Sequence, residues 1–169
     1  MNMILTVLIF VLVCSSASAQ QLPISYFSTD TVKTLKPNEV PGLIITVDPV
    51  SGKDDPLEGI YVDLNGDGKK DIIQKIRNCG TGGCSFFILD GASGQRVGDL
   101  FGSPFYISNT MINGWPVLEG YHHLSGRSGA FSSYVYDGKN YIETSSVYLE
   151  GKSVEELFKH YEKVHKLGE

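Results

Sequence analysis

The feature that most narrows the fold is the spacing of turn dipeptides. Asn65-Gly66, Asp67-Gly68, Asp90-Gly91, Asn113-Gly114 and Asp137-Gly138 interrupt short runs rich in β-branched and aromatic residues. Asn-Gly and Asp-Gly supply the positive φ that two-residue hairpin turns require. With Asp48-Pro49, the Cys79–Cys84 glycine run, Gly102-Ser103 and Ser125–Gly129 included, turn signals recur at about 8–12 residues, which points to a sandwich or curved sheet. The chain is therefore expected to be mainly β, an antiparallel meander of about eight short strands. A C-terminal amphipathic helix is expected to close it.

Expected strands are Leu43–Val47, Gly59–Asp63, Asp71–Ile76, Ser85–Leu89, Gln95–Phe101, Pro104–Ile112, Val117–Leu124, Ala130–Tyr136 and Tyr141–Thr144. Ser85–Leu89 is continuously apolar apart from its first residue, which predicts a central strand buried on both faces. Ser28-Thr29-Asp30 predicts the cap of one helical turn through Val32 and Leu35, stopped by Pro37. Residues 51–58 form a polar loop. Near the end, Ser153-x-x-Glu156 has the form of a capping box. Val154, Leu157, Phe158, Tyr161, Val164 and Leu167 follow at helical spacing. That stripe predicts a helix packed on a face or edge of the sheet, with His160 and His165 on its exposed side.

One turn carries more acid than a turn needs. Between two strand-like flanks runs Asp63-x-Asn65-x-Asp67-Gly68-x-x-Asp71. Ca²⁺ takes six to eight oxygens at about 2.3–2.6 Å, and alternating oxygen-bearing side chains around a forced bend can supply them. Gly68 permits the bend. The expected ligands are Asp63, Asn65, Asp67, the Lys69 carbonyl and Asp71, the last directly or through water. The first nine positions match an EF-hand loop, but the twelfth is Gln74 where a bidentate Glu belongs, and the flanks favour strands. The alternative is a tight polar hairpin without metal.

The motif resembles the calcium loops of FG-GAP/VCBS-type proteins, the integrin-α-like propeller repeats, which carry D-x-[DN]-x-D-G-x-x-D between two strands. The resemblance spans Gly59 to Asp90 and implies the same five ligands. The motif occurs once, whereas a propeller needs several blades of roughly 40–50 residues. The resemblance thus implies the loop and its hairpin, not a propeller.

Ile4–Val13 is an apolar run too short to span a bilayer, followed by Ala17-Ser18-Ala19. This pattern predicts a signal peptide over residues 1–19 and a single mature domain over residues 20–169. Val13 before Cys14 does not suit lipoprotein processing. The expected location is therefore secreted or periplasmic, with no membrane span in the mature chain. In that setting Cys79 and Cys84, in CGTGGC, are expected to form a disulfide. A net charge of −5 argues against a nucleic-acid partner and suits a cation site.

Sequence patterns for a serine nucleophile elbow, a zinc-protease helix and a phosphate loop are missing. His122 and His123, with Tyr121, Ser125, Arg127 and Ser128, offer acid–base or anion-binding chemistry at a strand end. A solvated hairpin with one histidine turned inward explains the same residues. The preferred expectation is a non-enzymatic β-domain with a structural calcium loop, binding a protein or carbohydrate in the envelope or outside the cell. The alternatives are a small inhibitor or immunity-type protein acting on a hydrolase, and a hydrolase using His122 or His123.

Overall fold

The structure, a computed structural model, describes residues 25–27, 32–36, 57–162 and 164–167. The expected leader and the expected strand Leu43–Val47 lie outside the described residues. The strands are β1 (Ser25–Phe27), β2 (Lys33–Thr34), β3 (Glu58–Val62), β4 (Asp71–Gly80), β5 (Gly83–Leu89) and β6 (Arg96–Gly102). There follow β7 (Phe105–Ile112), β8 (Trp115–Ser125), β9 (Ser128–Tyr136), β10 (Tyr141–Glu150), α1 (Lys152–Tyr161) and β11 (His165–Lys166). Strands β3 to β6 and β7 to β10 are each an antiparallel meander, as the turn spacing predicts, and between β6 and β7 the chain crosses from one sheet to the other.

The strands form two sheets. One runs β10-β9-β8-β7-β1-β11 and the other β2-β3-β4-β5-β6. All pairs are antiparallel except the short parallel pair β1–β11. The buried faces of both sheets share one core, which contains Phe27, Ile73, Phe86, Ile88, Phe105, Ile107 and Leu118. At its centre Phe27 and Phe105 stack at 5.2 Å, and Phe86 meets both edge-on from the opposite sheet. Two amphipathic sheets bury their apolar faces against each other, which is the sandwich solution.

Three local expectations need correction. Lys33–Thr34 is a strand, not a helical turn, because it pairs with Gly59 and Glu58 and carries Leu35 into a small second cluster with Ile72 and Leu89. Strand β5 alternates: Phe86 and Ile88 are buried, whereas Ser85 and Phe87 are half-buried. The Arg96 guanidinium lies over the Phe87 ring, 3.5 Å from its centre. The helix begins one residue before Ser153, at a Gly151 N-cap without a side-chain bond, so no capping box forms. It ends at Tyr161. Val164 and Leu167 lie beyond it, and His165 belongs to β11, held by pairing with β1.

The helix covers a sheet face, as its stripe predicts. Tyr161 stacks on Tyr106 at 3.6 Å and donates its hydroxyl to Glu119 at 2.5 Å. Phe158 meets Tyr121 edge-on at 5.0 Å. Tyr106, Glu119 and Tyr121 lie on the outer face of β7 and β8, so α1 crosses back over the six-stranded sheet. No helix residue is fully buried, so a few rings hold this helix.

Candidate cation-binding loop

The chain leaves β3 at Val62 and re-enters the sheet at Asp71. Between them the backbone winds around its own acidic side chains. Asp63 accepts the Gly66 N–H through Oδ1 at 2.8 Å and the Gly68 N–H through Oδ2 at 2.9 Å. Asn65 Oδ1 accepts the Asp67 N–H at 3.0 Å, and Asp67 Oδ1 accepts the Lys69 N–H at 2.7 Å. Gly66 and Gly68 take φ of 73° and 84°, where a Cβ is disfavoured. Leu64, between the first two acidic positions, turns inward and is wholly buried in the main core. This one side chain anchors a loop whose tip is otherwise exposed.

Asp71 differs from the other acidic residues. Its side chain is wholly buried. Oδ2 accepts the Leu64 N–H at 2.7 Å and Oδ1 accepts the Gly91 N–H at 2.8 Å. Burial pushes its pKa up to about 6, against the lowering effect of those two bonds, and the nearby Asp90 and Asp67 carboxylates add to the rise. The group therefore ties the 63–68 loop to the turn after β5. Gly91 must approach closely for this: a Cβ there would lie 2.1 Å from the Lys70 carbonyl oxygen.

Asp90 is the acidic neighbour that reading along the chain misses. Its carboxylate accepts the Ser93 N–H at 2.6 Å and the Ser93 hydroxyl at 2.5 Å. The Asn65 amide nitrogen lies 3.4 Å from Asp67 and 3.5 Å from Asp90, long for hydrogen bonds. The Asp90-Gly91 dipeptide signals its own turn, but nothing local reports that this turn meets a loop 25 residues earlier. Gln74, at the position where an EF-hand places its bidentate Glu, is buried in β4 opposite Gly59.

Asp63, Asn65 and Asp67 thus share one exposed turn, with Asp90 beside it, while Asp71 points inward. Among the described residues, no three His, Cys, Asp or Glu side chains are gathered as a ready metal-holding group. The outward oxygens fit a hard cation by chemistry and charge, because a carboxylate oxygen that accepts one N–H keeps a second lone pair.

The other sequence-predicted groups sit elsewhere. Cys79 and Cys84 are disulfide-bonded and directly opposed across β4 and β5. His122 Nδ1 is buried and has no hydrogen-bond partner among the described residues, and its ring lies 5.9 Å from that of Phe101. His123 borders a cavity of about 390 Å³ with Lys75, Ser103 and the disulfide turn. Tyr121 is buried beneath Phe158, so only residues 124–127 of that hairpin are exposed. The two histidines lie on opposite faces of β8 and do not form one site. Among the described residues, no helix is long and apolar enough to cross a membrane.

These features define a two-sheet antiparallel β-domain with an acidic inter-strand loop and a hairpin disulfide. Compared with protein-family models, curated proteins and solved structures, the chain matches none.

Proposed function

We propose that the chain is an exported, non-enzymatic binding domain whose 63–71 loop takes Ca²⁺ as a structural ion. The observation that carries this reading is the winding of the loop around Asp63, Asn65 and Asp67, with Asp90 beside them. A loop already turned by its own N–H groups needs little backbone movement to take up an ion. Asp63, Asn65, Asp67 and the Lys69 carbonyl supply the oxygens. Asp90 is a further outward carboxylate that side-chain rotation can bring in. Asp71 keeps its two backbone bonds and acts from behind, fixing the loop against the 90–94 turn.

Export is supported by the leader-like first residues and by a disulfide, which persists in oxidising compartments. The non-enzymatic reading is supported by the separation of His122 from His123 and by the Phe101 ring beside His122. Calorimetric titration of the mature chain with Ca²⁺, on wild type and Asp67→Ala, tests the site. Saturable heat in the wild type and at least about a tenfold loss of affinity in the variant are expected. Equal heats, or none in either, remove the ion from the account.

A further inference from the structure

The two sheets nearly touch along one side and then part. Strand β6 ends one sheet and β10 ends the other. They meet at Gly98, where a Cβ would lie 2.9 Å from Tyr141 Cβ. Beyond that contact a cavity of about 390 Å³ opens, bordered by Phe87, Asp99 and Phe101 on one side and by Tyr134 and Glu143 on the other.

Among the described residues, no strand pairs with the outer edge of β10. It is ten residues long, and residues 142–148 are all exposed. A strand of this length runs for about 33 Å. Edge strands in soluble proteins are commonly blunted by charged side chains, Pro, β-bulges or a covering element, and β10 has one irregularity, between Glu143 and Ser145, with regular pairing on both sides of it. Residues 141–150 contain no Lys, Arg or Pro, and α1 leads away over β7 and β8. Among the described residues, four of the seven exposed large apolar side chains lie on these two edge strands: Phe101, Ile142, Val147 and Tyr148. A row of unpaired backbone groups is a template on which another extended chain can add a strand.

We propose that β10 binds an extended peptide segment of a partner protein by strand addition, with a Lys or Arg of that segment entering the cavity between β6 and β10. The side chains of an added strand alternate, so every second one faces the inner side, and the one beside Glu143 is placed to enter the cavity. There it meets the Asp99 and Glu143 carboxylates and the Phe101 and Tyr134 rings. Arg96 already pairs with Asp99. Glu143 accepts a hydrogen bond from the neutral Ser132 hydroxyl at 3.1 Å. Two carboxylates and one cation leave an acidic surplus, which a cationic side chain with an aliphatic stem complements. This surface extends the binding-domain reading and uses none of the residues of the 63–71 loop.

The test uses a labelled decapeptide of alternating Thr and Val with one central Lys, and its Glu counterpart, against the full mature chain in calcium and in chelator. The Lys peptide is expected to bind saturably in both solutions, at least about tenfold more tightly than the Glu peptide. Glu143→Gln and Tyr148→Lys, both at exposed positions, are each expected to weaken it about tenfold with unchanged melting temperature. Backbone amide shifts on binding should concentrate in β10. Absence of binding, equal binding of both peptides, or shifts away from β10 overturns the proposal. So does a concentration-dependent dimer that Tyr148→Lys dissolves, because a second copy would then be the occupant. Binding that survives in chelator stands whether or not the loop takes calcium.

Discussion

The carboxylate of Asp71 accepts the backbone N–H of Leu64 at 2.7 Å, with the acid wholly buried and Leu64 wholly inserted in the core. The pair converts an exposed acidic turn into part of the sandwich. Its second oxygen, bonded to Gly91, links that turn to the next hairpin.

This relationship has a pH signature. Burial raises the Asp71 pKa from 3.8 to about 6, so the folded chain holds its proton more tightly than the unfolded chain does. Stability from this group is fully present below pH 4 and is lost as pH rises towards 6. Urea denaturation in chelator, at pH 4.5 and 7, should show this slope in wild type. Asp71→Asn should flatten it and leave either Leu64 or Gly91 facing an amide NH₂, a loss of about 1–3 kcal/mol.

Close packing at Gly91 gives an independent test of the same junction. Its Cβ would meet the Lys70 carbonyl oxygen at 2.1 Å, a backbone atom with little freedom to move. Gly91→Ala should destabilise by roughly 2 kcal/mol or more, measured by thermal or urea unfolding. Gly80→Ala, likewise outside the left-handed region but with no atom within 4 Å of its Cβ, is the control for the substitution without the close contact.

Calcium should stabilise the fold if the loop binds it. At one hundred times the dissociation constant the gain is about 2.7 kcal/mol, read as a raised melting temperature. Asp63→Ala should abolish the gain, and it also frees the Gly66 and Gly68 N–H groups. A melting temperature identical in calcium and chelator would count against the site.

The disulfide between Cys79 and Cys84 closes a short loop. The chain-entropy model gives about 2 kcal/mol for a ring of this size. Cys79→Ser with Cys84→Ser should lower stability by that amount while the circular dichroism of the sheets persists, because the pairing of β4 with β5 extends well beyond the bridge.

The helix should be the first element to detach. It has no fully buried residue and rests on Tyr161 and Phe158. Burial first, then the Glu119 carboxylate that accepts its hydroxyl, hold the Tyr161 pKa well above the ordinary phenol value. Tyr161→Phe should cost about 1–2 kcal/mol through that bond, and Tyr161→Ala about 3. Limited proteolysis of Tyr161→Ala should cut between residues 151 and 164 before the sheets unfold.

Local chemistry alone determined the meander. Asn-Gly and Asp-Gly turns, strand-like runs between them and the cysteine spacing are decided within a few residues, and the eight strands from β3 to β10 follow from them. The acidic loop was equally legible as a set of oxygens. Tertiary structure decided how those oxygens are used. Leu64 becomes an anchor and Asp71 an inward strut because the core lies beneath them, and Asp90 joins the rim through a hairpin 25 residues away. It also decided that Lys33–Thr34 is a strand, since sheet pairing and the burial of Leu35 outweigh a weak capping signal. The helix stops at Tyr161 because the following residues find hydrogen-bond partners on β1, which helical periodicity cannot reveal. Pairing between residues distant in sequence is set by which apolar faces meet. That is a property of the packed chain, not of any one segment of it.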